Sequence, residues 1–309
     1  MLNLKNTPIL VTLSIFMHLN AYALQTNGVV TTIKPLHSLV SGVIGDTGKA
    51  TLLLKGAESP HGFQFKPSQM KKMQQAKVVF YIDNNLETFL SPALKVLPKT
   101  VKTVAVAKKS RIKLQAYRQG KDWEKESHNN EEEHIHNHGS YNMHIWLNPN
   151  NAIQMVKTIV KELSLTYPEN RNIYKSNARK LLARIKTLDQ KLKQQLTPVK
   201  DKPFIVFHDA YQYFEKAYGL KAVGSITVQP NQPLSPRRVS EIQQKLRTHQ
   251  VQCIFSEPQF SDRIIHTIAK NSTTKTGILD SLGMQLEAGH TLYFNLLQNL
   301  ANNIKQCLQ

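Results

Sequence analysis

The sequence predicts an α/β protein of two lobes, each a parallel sheet flanked by helices, joined by one long helix. Three observations predict this fold class. Short β-like apolar runs alternate with helical patterns, which implies parallel sheets. The alternation occurs twice, once in each half of the chain. Between the halves, one apolar face repeats at helical spacing.

Residues 1–23 are predicted to be a signal peptide. Lys5 precedes an apolar run over 8–17, and the tripeptide AYA that ends at residue 23 has the small-x-small pattern of a cleavage site. A buried helix or a membrane anchor is the alternative, although the run is short for a membrane span. No cysteine lies near the cleavage site to carry a lipid. We therefore expect a mature chain, from about Leu24, that is soluble in a bacterial periplasm.

The N-terminal α/β lobe is expected over residues 24–165. Its four predicted strands are short apolar runs, at 29–36, 50–56, 77–82 and 101–107. A helix is predicted over 66–76, because Pro67 and Ser68 supply a start signal. The stretch at about 115–140 is charged, rich in Asn, Glu and His, and nearly free of aliphatic residues. Such a composition cannot bury enough apolar surface to order itself, so we predict a mobile loop.

A linking helix is predicted over residues 166–198. Its apolar face has spacings of four and three, through Tyr174, Ala178, Leu181, Ile185, Leu188 and Leu192. Thr166 and Glu169 suggest a capping box at its start, and Pro198 marks its end. A coiled coil that binds a partner is the alternative. Because a continuous helix is stiffer than a glycine-rich linker, we expect no large hinge motion.

The C-terminal α/β lobe is expected over residues 199–309. Its predicted strands are at 203–209, 222–228, 253–258 and 274–280, with helices near 210–218, 235–248, 261–270 and 290–306. The chain has two cysteines, Cys253 and Cys307. In an exported protein an even pair suggests a disulfide. Two free, buried thiols are the alternative.

The formal net charge is +19. A basic balance raises nucleic acid as a partner. Here the Lys and Arg residues are spread along the chain, are not interleaved with aromatic residues, and form no nucleic-acid motif. Export also separates the protein from nucleic acid. We therefore expect solvated surface charge and no nucleic-acid partner.

The histidines fall into two groups by their surroundings. One group lies in the polar stretch and comprises His128, His134, His136 and His138. The other has ordered settings: His61 follows the second predicted strand, His144 lies in the apolar motif YNMHIWLNP, and His208 ends the strand FIVF. In parallel α/β sheets, ligands bind beyond the carboxyl ends of the strands. His61 and His208 follow strands of different lobes, which places them toward a cleft between the lobes.

Three ordered imidazoles suit zinc, which takes three or four ligands in a tetrahedral site. A single histidine beside apolar residues is more often structural, but three together with a His-rich stretch favour a metal site. Asp280 adds a carboxylate at the end of a predicted strand. The histidines of the polar stretch are expected to bind metal loosely, because ordering them costs chain entropy. A solvated loop with incidental affinity is the alternative.

Two acidic residues beside the ordered histidines have two interpretations each. Asp209 either orients a ligand histidine or caps the following helix. Glu257 follows the strand CIFS and either faces the cleft or pairs with surface lysines.

The order of motifs resembles a known family. TTIKPLHSLV, GAESPH, the His/Glu-rich stretch, YNMHIWLNP, VFHDAYQYFEKAYG, CIFSEPQF and GILDSLG follow one another along the chain. This order is similar to that of the periplasmic zinc-binding components of high-affinity ABC zinc importers, the ZnuA type of the metal-binding solute-binding protein family. The resemblance covers essentially the whole mature chain.

The resemblance implies that His61, His144 and His208 coordinate one metal ion between the lobes. Asp280 matches the position where relatives supply a fourth, carboxylate ligand. Manganese-binding relatives have a glutamate at the position of His208, and an imidazole there favours zinc. The cysteine pair matches a disulfide of the zinc branch. Close relatives place a glutamate directly before the first histidine, whereas this chain has Pro60 there. The fourth group is therefore expected to be Asp280 or water, with Glu58 as the nearest other acid.

The function implied is capture of zinc as a transported ligand and its delivery to the membrane permease of an ABC importer. The protein is expected to be a monomer and not an enzyme. A periplasmic zinc store or metallochaperone is one alternative. A zinc hydrolase is another, because His134, His136 and His138 superficially resemble an H-x-H motif. Such a motif needs an ordered strand, and the sequence contains no H-E-x-x-H.

Overall fold

The computed structural model describes residues 25–56, 58–123, 141–227 and 234–309. The predicted signal peptide, including its cleavage site, lies outside these residues. The four histidines of the polar stretch, His128, His134, His136 and His138, also lie outside them. None of the described helices is long and apolar enough to cross a membrane.

The first lobe contains a parallel four-stranded sheet. Its strands are β1 (Val29–Thr31), β2 (Thr51–Leu52), β3 (Val78–Tyr81) and β4 (Lys102–Ala105), in the order β2-β1-β3-β4. Its helices are α1 (Lys34–Ile44), α2 (Pro67–Gln74), α3 (Leu90–Lys95) and α4 (Val106–Lys109). Every residue of β3 is buried, as expected for a strand of a parallel sheet that is covered on both faces.

The first predicted strand is shorter than the apolar run that suggested it. The strand ends at Thr31, and α1 begins at Lys34 with Pro35 in its first turn. Proline lacks the N–H that a central strand needs, and its fixed φ suits the start of a helix. The predicted strand over 29–36 was therefore wrong in its second half.

After α4 the chain forms a short antiparallel pair, β5 (Gln115–Ala116) with β6 (Tyr141–Asn142). The helix α5 (Pro149–Thr166) follows, and Asn148 caps it by accepting a hydrogen bond from the Asn150 amide. A single 3-10 turn, Pro168–Asn170, separates α5 from α6 (Arg171–Leu196).

The helix α6 is the long helix that joins the lobes, and its buried face has the predicted residues. Tyr174, Ala178, Leu181, Ile185, Leu188 and Leu192 are all buried, together with Leu196. The predicted capping box was wrong, because α6 begins at Arg171. Thr166 belongs to the end of α5, where its Oγ1 donates to the carbonyl oxygen of Glu162.

The second lobe contains another parallel four-stranded sheet, which confirms the predicted α/β architecture. Its strands are β7 (Pro203–His208), β8 (Lys221–Thr227), β9 (Cys253–Ser256) and β10 (Lys275–Ile278), in the order β10-β9-β7-β8. Its helices are α7 (Gln212–Tyr218), α8 (Pro236–Thr248), α9 (Arg263–Ala269) and α10 (Leu292–Leu308). The predicted disulfide is confirmed: Cys253 and Cys307 tie β9 to α10, with Cα atoms 6.0 Å apart.

Trp146 packs at the junction between the lobes. Its side chain is 0% exposed. Its Nε1 donates to the carbonyl oxygen of Ser281 (2.8 Å), and its own carbonyl oxygen accepts from Tyr293 Oη (2.9 Å). Because Ser281 and Tyr293 belong to the second lobe, the motif YNMHIWLNP is held against both lobes.

Candidate metal centre

The three ordered histidines converge between the lobes. His61 lies in a stretch without helix or strand between β2 and α2, His144 lies between β6 and a 3-10 turn, and His208 is the last residue of β7. His144 Nε2 is 3.4 Å from His61 Nε2 and 3.3 Å from His208 Nε2. One ligand atom from each of the three lies within 4.8 Å of the others.

This spacing matches the geometry of zinc. In a tetrahedral site with Zn–N distances of about 2.0–2.1 Å, ligand nitrogens stand about 3.3–3.4 Å apart. The three histidines therefore form a group that could hold a metal ion that accepts nitrogen ligands.

His144 is held by Asn142. Its Nδ1 donates to Asn142 Oδ1 (2.9 Å), and its backbone N–H donates to the same oxygen (3.0 Å). Because Nδ1 carries the proton, Nε2 keeps its lone pair for a metal. His144 is 2% exposed. Burial, followed by the neighbouring charges of His208 and His61, holds the pKa of His144 well below its usual range. The ring is therefore neutral and ready to bind.

His208 is held by a carboxylate. Its Nδ1 lies 2.6 Å from Glu257 Oε1. Glu257 directly follows β9 and is 2% exposed. A carboxylate on the far nitrogen orients a ligand histidine and raises its basicity. The sequence left Glu257 open between the cleft and a surface lysine, and the structure places it at His208.

Asp280 lies outside the histidine cluster. Its Oδ1 accepts from the amides of Leu282 (3.0 Å) and Gly283 (2.9 Å), and from Gln259 Nε2 (3.0 Å). Its Oδ2 accepts from the amide of Met284 (2.5 Å). In this geometry the carboxylate organises the loop after β10. Glu58 likewise accepts a backbone hydrogen bond, from Gly56 (2.7 Å).

Among the described residues, the Asp209 side chain contacts neither a ligand histidine nor the N-terminus of α7. The N-cap residue of α7 is Tyr211, and it makes no capping hydrogen bond through its side chain. The Asp209 carboxylate instead accepts from Arg118 of the first lobe (3.1 Å from Nε). Sequence reasoning missed Arg118 and Asn142. The position of Asn142, two residues before His144, was the available signal, because asparagine often accepts from the amide two residues on.

Two α/β lobes joined by one long helix, with three imidazoles converging between them, define a metal-binding solute-binding protein. The sequence profile of the family described as "Zinc-uptake complex component A periplasmic" matches residues 29–307. The chain belongs to this family of zinc-uptake components.

The names of individual relatives agree with this family assignment. The chain is 38% identical over 308 residues to the high-affinity zinc uptake system protein ZnuA of Brucella abortus (strain 2308), covering 92% of each chain. It is 30% identical over 299 residues to the protein of the same name from Yersinia pestis, covering 94% of each.

Solved structures share the fold. A laminin-binding adhesin (Lmb) from Streptococcus agalactiae, solved as a mutant, is 26% identical with a TM-score of 0.75, over 91% of this chain and 99% of that one. A crystal structure of ZnuA has a TM-score of 0.76 over 91% of this chain and 98% of that one. At 24% identity, this second likeness concerns the fold alone.

Proposed function

We propose that the protein captures a zinc ion between its lobes, in the periplasm, and delivers it to the membrane permease of an ABC importer. The observation that carries the proposal is the spacing of the three Nε2 atoms. His144 Nε2 lies 3.3 Å from that of His208 and 3.4 Å from that of His61. The relatives' names, which specify high-affinity zinc uptake, support it.

The donor set favours zinc as the cargo. Three imidazoles are nitrogen ligands, whereas manganese and magnesium prefer oxygen. Glu257 hydrogen-bonds the far nitrogen of His208, so in this arrangement it supports a ligand without supplying one. His61, His144 and His208 therefore form the proposed ligand set.

Water is favoured over Asp280 as the fourth ligand. To reach the metal, Asp280 would have to give up hydrogen bonds to three backbone amides and to Gln259. These four hydrogen bonds to a charged carboxylate are part-buried, and each contributes up to about 1.5–3 kcal/mol. A water molecule fills the fourth position without that cost.

Delivery to the permease completes the proposed role. Zinc joins ligands from both lobes and so favours their closed arrangement, which docks on the permease, while a separate subunit hydrolyses ATP. We propose that the protein acts as a monomer, without catalysis and without nucleic acid. The hydrolase alternative depended on His134, His136 and His138, which lie outside the described residues. The described cluster uses other histidines.

A calorimetric zinc titration tests the proposal. The mature protein, a variant lacking residues 127–139, and His208→Ala would be compared. We expect one tight site in the first two proteins and its loss in His208→Ala. If the tight site disappears with residues 127–139, that segment holds the metal and the interlobe site is wrong. Several weak sites and no tight one would support zinc storage instead.

A further inference from the structure

Residues 115–123, here called the crossing segment, belong to the first half of the chain but bind to the second lobe. The amide of Gln115 donates to Tyr213 Oη (2.9 Å). The carbonyl oxygen of Ala116 accepts from Gln212 Nε2 (3.0 Å). Both partners lie on α7. The crossing segment is therefore a direct link between the lobes, additional to α6.

Arg118 is the central residue of the crossing segment. Its Nε lies 3.1 Å from both oxygens of Asp209. Its Nη1 and Nη2 donate to the two oxygens of Glu215, at 2.6 and 3.0 Å. The guanidinium also lies 3.4 Å from the centre of the Trp123 ring. A planar fork that holds two carboxylates and stacks on an indole is specific to arginine, because a lysine ammonium is a point charge.

The two carboxylates are buried, and the cation that holds both comes from the opposite lobe. Asp209 is 8% exposed and Glu215 is 5% exposed. Buried acids that lose their cation are strongly unfavourable. The negative charges of Asp209 and Glu215 are therefore balanced by Arg118 while the crossing segment lies on the second lobe.

Asp209 connects this ion cluster to two of the proposed metal ligands. It directly follows His208 in the chain. Its carbonyl oxygen accepts from Asn142 Nδ2 (2.6 Å), and Asn142 Oδ1 accepts from His144 Nδ1 (2.9 Å). A shift of Asp209 would move His208 and also the anchor of His144.

We propose that Arg118 is a positioning residue for zinc capture: by holding Asp209 and Glu215, it sets the spacing of His144 and His208 before the metal arrives. The inference rests on the proposed function. Arg118 acts through Asp209 and does not touch the metal. Its loss should therefore change metal affinity and coordination geometry, whereas a purely structural arginine would change stability alone.

Arg238 offers a matched control. It is buried, at 5% exposure, whereas the Arg118 side chain is 20% exposed. It lies on α8 and donates to the carbonyl oxygens of Ser225 (2.6 Å) and Ile226 (3.2 Å) on β8, within the second lobe. Arg118→Gln and Arg238→Gln thus each remove a guanidinium that holds several acceptors. The contacts of Arg118 described above join the two lobes, whereas those of Arg238 join α8 to β8.

The experiment measures zinc affinity by competition with a chelator, the absorption spectrum of the cobalt(II) form, and the melting temperature. We expect Arg118→Gln to bind zinc about tenfold or more weakly, as when a ligand histidine loses a hydrogen-bond partner, and to show an altered cobalt spectrum. Arg238→Gln should melt earlier but keep both metal properties. Wild-type affinity and spectrum in Arg118→Gln would overturn the proposal.

Arg118→Lys keeps the test decisive if the glutamine variant does not fold. Lysine retains the charge but cannot donate in the plane of both carboxylates, so we expect a folded protein with several-fold weaker zinc binding. Wild-type affinity in that variant would equally overturn the proposal. A failure of the proposed function would look different from a failure of this inference. In that case the unsubstituted protein itself would show no tight zinc site that His208→Ala removes.

Discussion

His144 and His208 differ from His61 in burial and in the stretch of chain that carries them. Each of the first two is buried, and each has its far nitrogen engaged, by Asn142 and by Glu257. His61 is half-buried, on a stretch between β2 and α2 that forms neither helix nor strand. The protein therefore presents two aimed imidazoles and completes the site with a third on an irregular loop.

The contrast suggests an order of events. A preorganised pair needs little conformational ordering when the metal arrives. His61 is more exposed and lies outside any helix or strand, so we expect fixing it on the metal to cost more conformational entropy than fixing either buried ring. We therefore expect the metal to meet His144 and His208 first and to be enclosed by His61 afterwards. Release would reverse this order, starting at the loop.

Removing single ligands gives the largest expected effect. His144→Ala should weaken zinc binding by more than the roughly 10–100-fold that follows loss of a ligand's hydrogen-bond partner. His61→Ala should retain a measurable fraction of the affinity, because the fixed pair survives. Competition titrations would compare both with His249→Ala, an exposed histidine beyond the end of α8. Equal losses at positions 61 and 144 would refute the contrast.

Loosening one member of the fixed pair should have the next largest effect. Glu257→Gln keeps the shape of the side chain but removes the charge beside His208 Nδ1. We expect zinc affinity to fall by about 10–100-fold. Glu241→Gln is the control, because Glu241 pairs with Arg237 on the surface of α8. An affinity indistinguishable from that of the control would show that His208 needs no carboxylate to hold it.

The pH dependence of zinc binding tests whether the buried His144 ring takes up a proton at a lower pH than an ordinary histidine. Zinc affinity should fall below about pH 6, because protonated imidazoles cannot bind and an ordinary histidine has a pKa of roughly 6.5. The lowered pKa of His144 means that this ring is already neutral at pH 6 and releases no proton there. At pH 6, three imidazoles of ordinary pKa would together release about 2.3 protons on binding zinc. Calorimetry in buffers of different ionisation enthalpy should count clearly fewer, because His144 contributes none. A count of about 2.3, or an unchanged affinity between about pH 7.5 and 5, would contradict this.

The same lowered pKa affects the metal-free fold. Below about pH 6.5, the unfolded chain takes up a proton at residue 144 that the folded protein does not accept. Folding stability therefore declines as the pH drops from that value toward the lowered pKa.

Asp280→Asn should have the smallest effect on the site. If water is the fourth ligand, zinc affinity should change by less than about fivefold, which is about 1 kcal/mol, because the lost hydrogen bond belongs to the loop after β10 and not to a ligand. The melting temperature should still fall, because the Met284 amide loses its acceptor. A loss comparable to that in His61→Ala would identify Asp280 as a ligand.

Local patterns in the sequence predicted most of the fold. Apolar runs marked the eight strands of the two large sheets, and the spacing from Tyr174 to Leu192 marked the buried face of α6. The ends of strands and helices were less predictable where two signals overlapped. Pro35 lies next to an apolar run that predicts a strand, and it also favours the first turn of a helix. The helix α5 was not predicted, although Asn148 and Pro149 are a recognisable start.

The sequence identified His61, His144 and His208 as candidate metal ligands because each lies beside a strand end or in an ordered motif. It could not show what holds them. Glu257 reaches His208 across 49 residues, and Arg118 reaches Asp209 across 91. Such pairs depend on the packing of β7 against β9 and of the crossing segment against α7. The four histidines of the polar stretch and the signal peptide remain predictions.

The chain has a natural insertion point between residues 123 and 141. The fold holds it on both sides, with Trp123 stacked on Arg118 and Tyr141 paired with Ala116, and closing a loop becomes harder by only about 0.6 kcal/mol for each doubling of its length. We therefore expect changes of length between these two positions, which leave Arg118 in place, to leave the site intact. A fluorescent domain inserted at the same place would lie near His144, so that its emission could report metal binding.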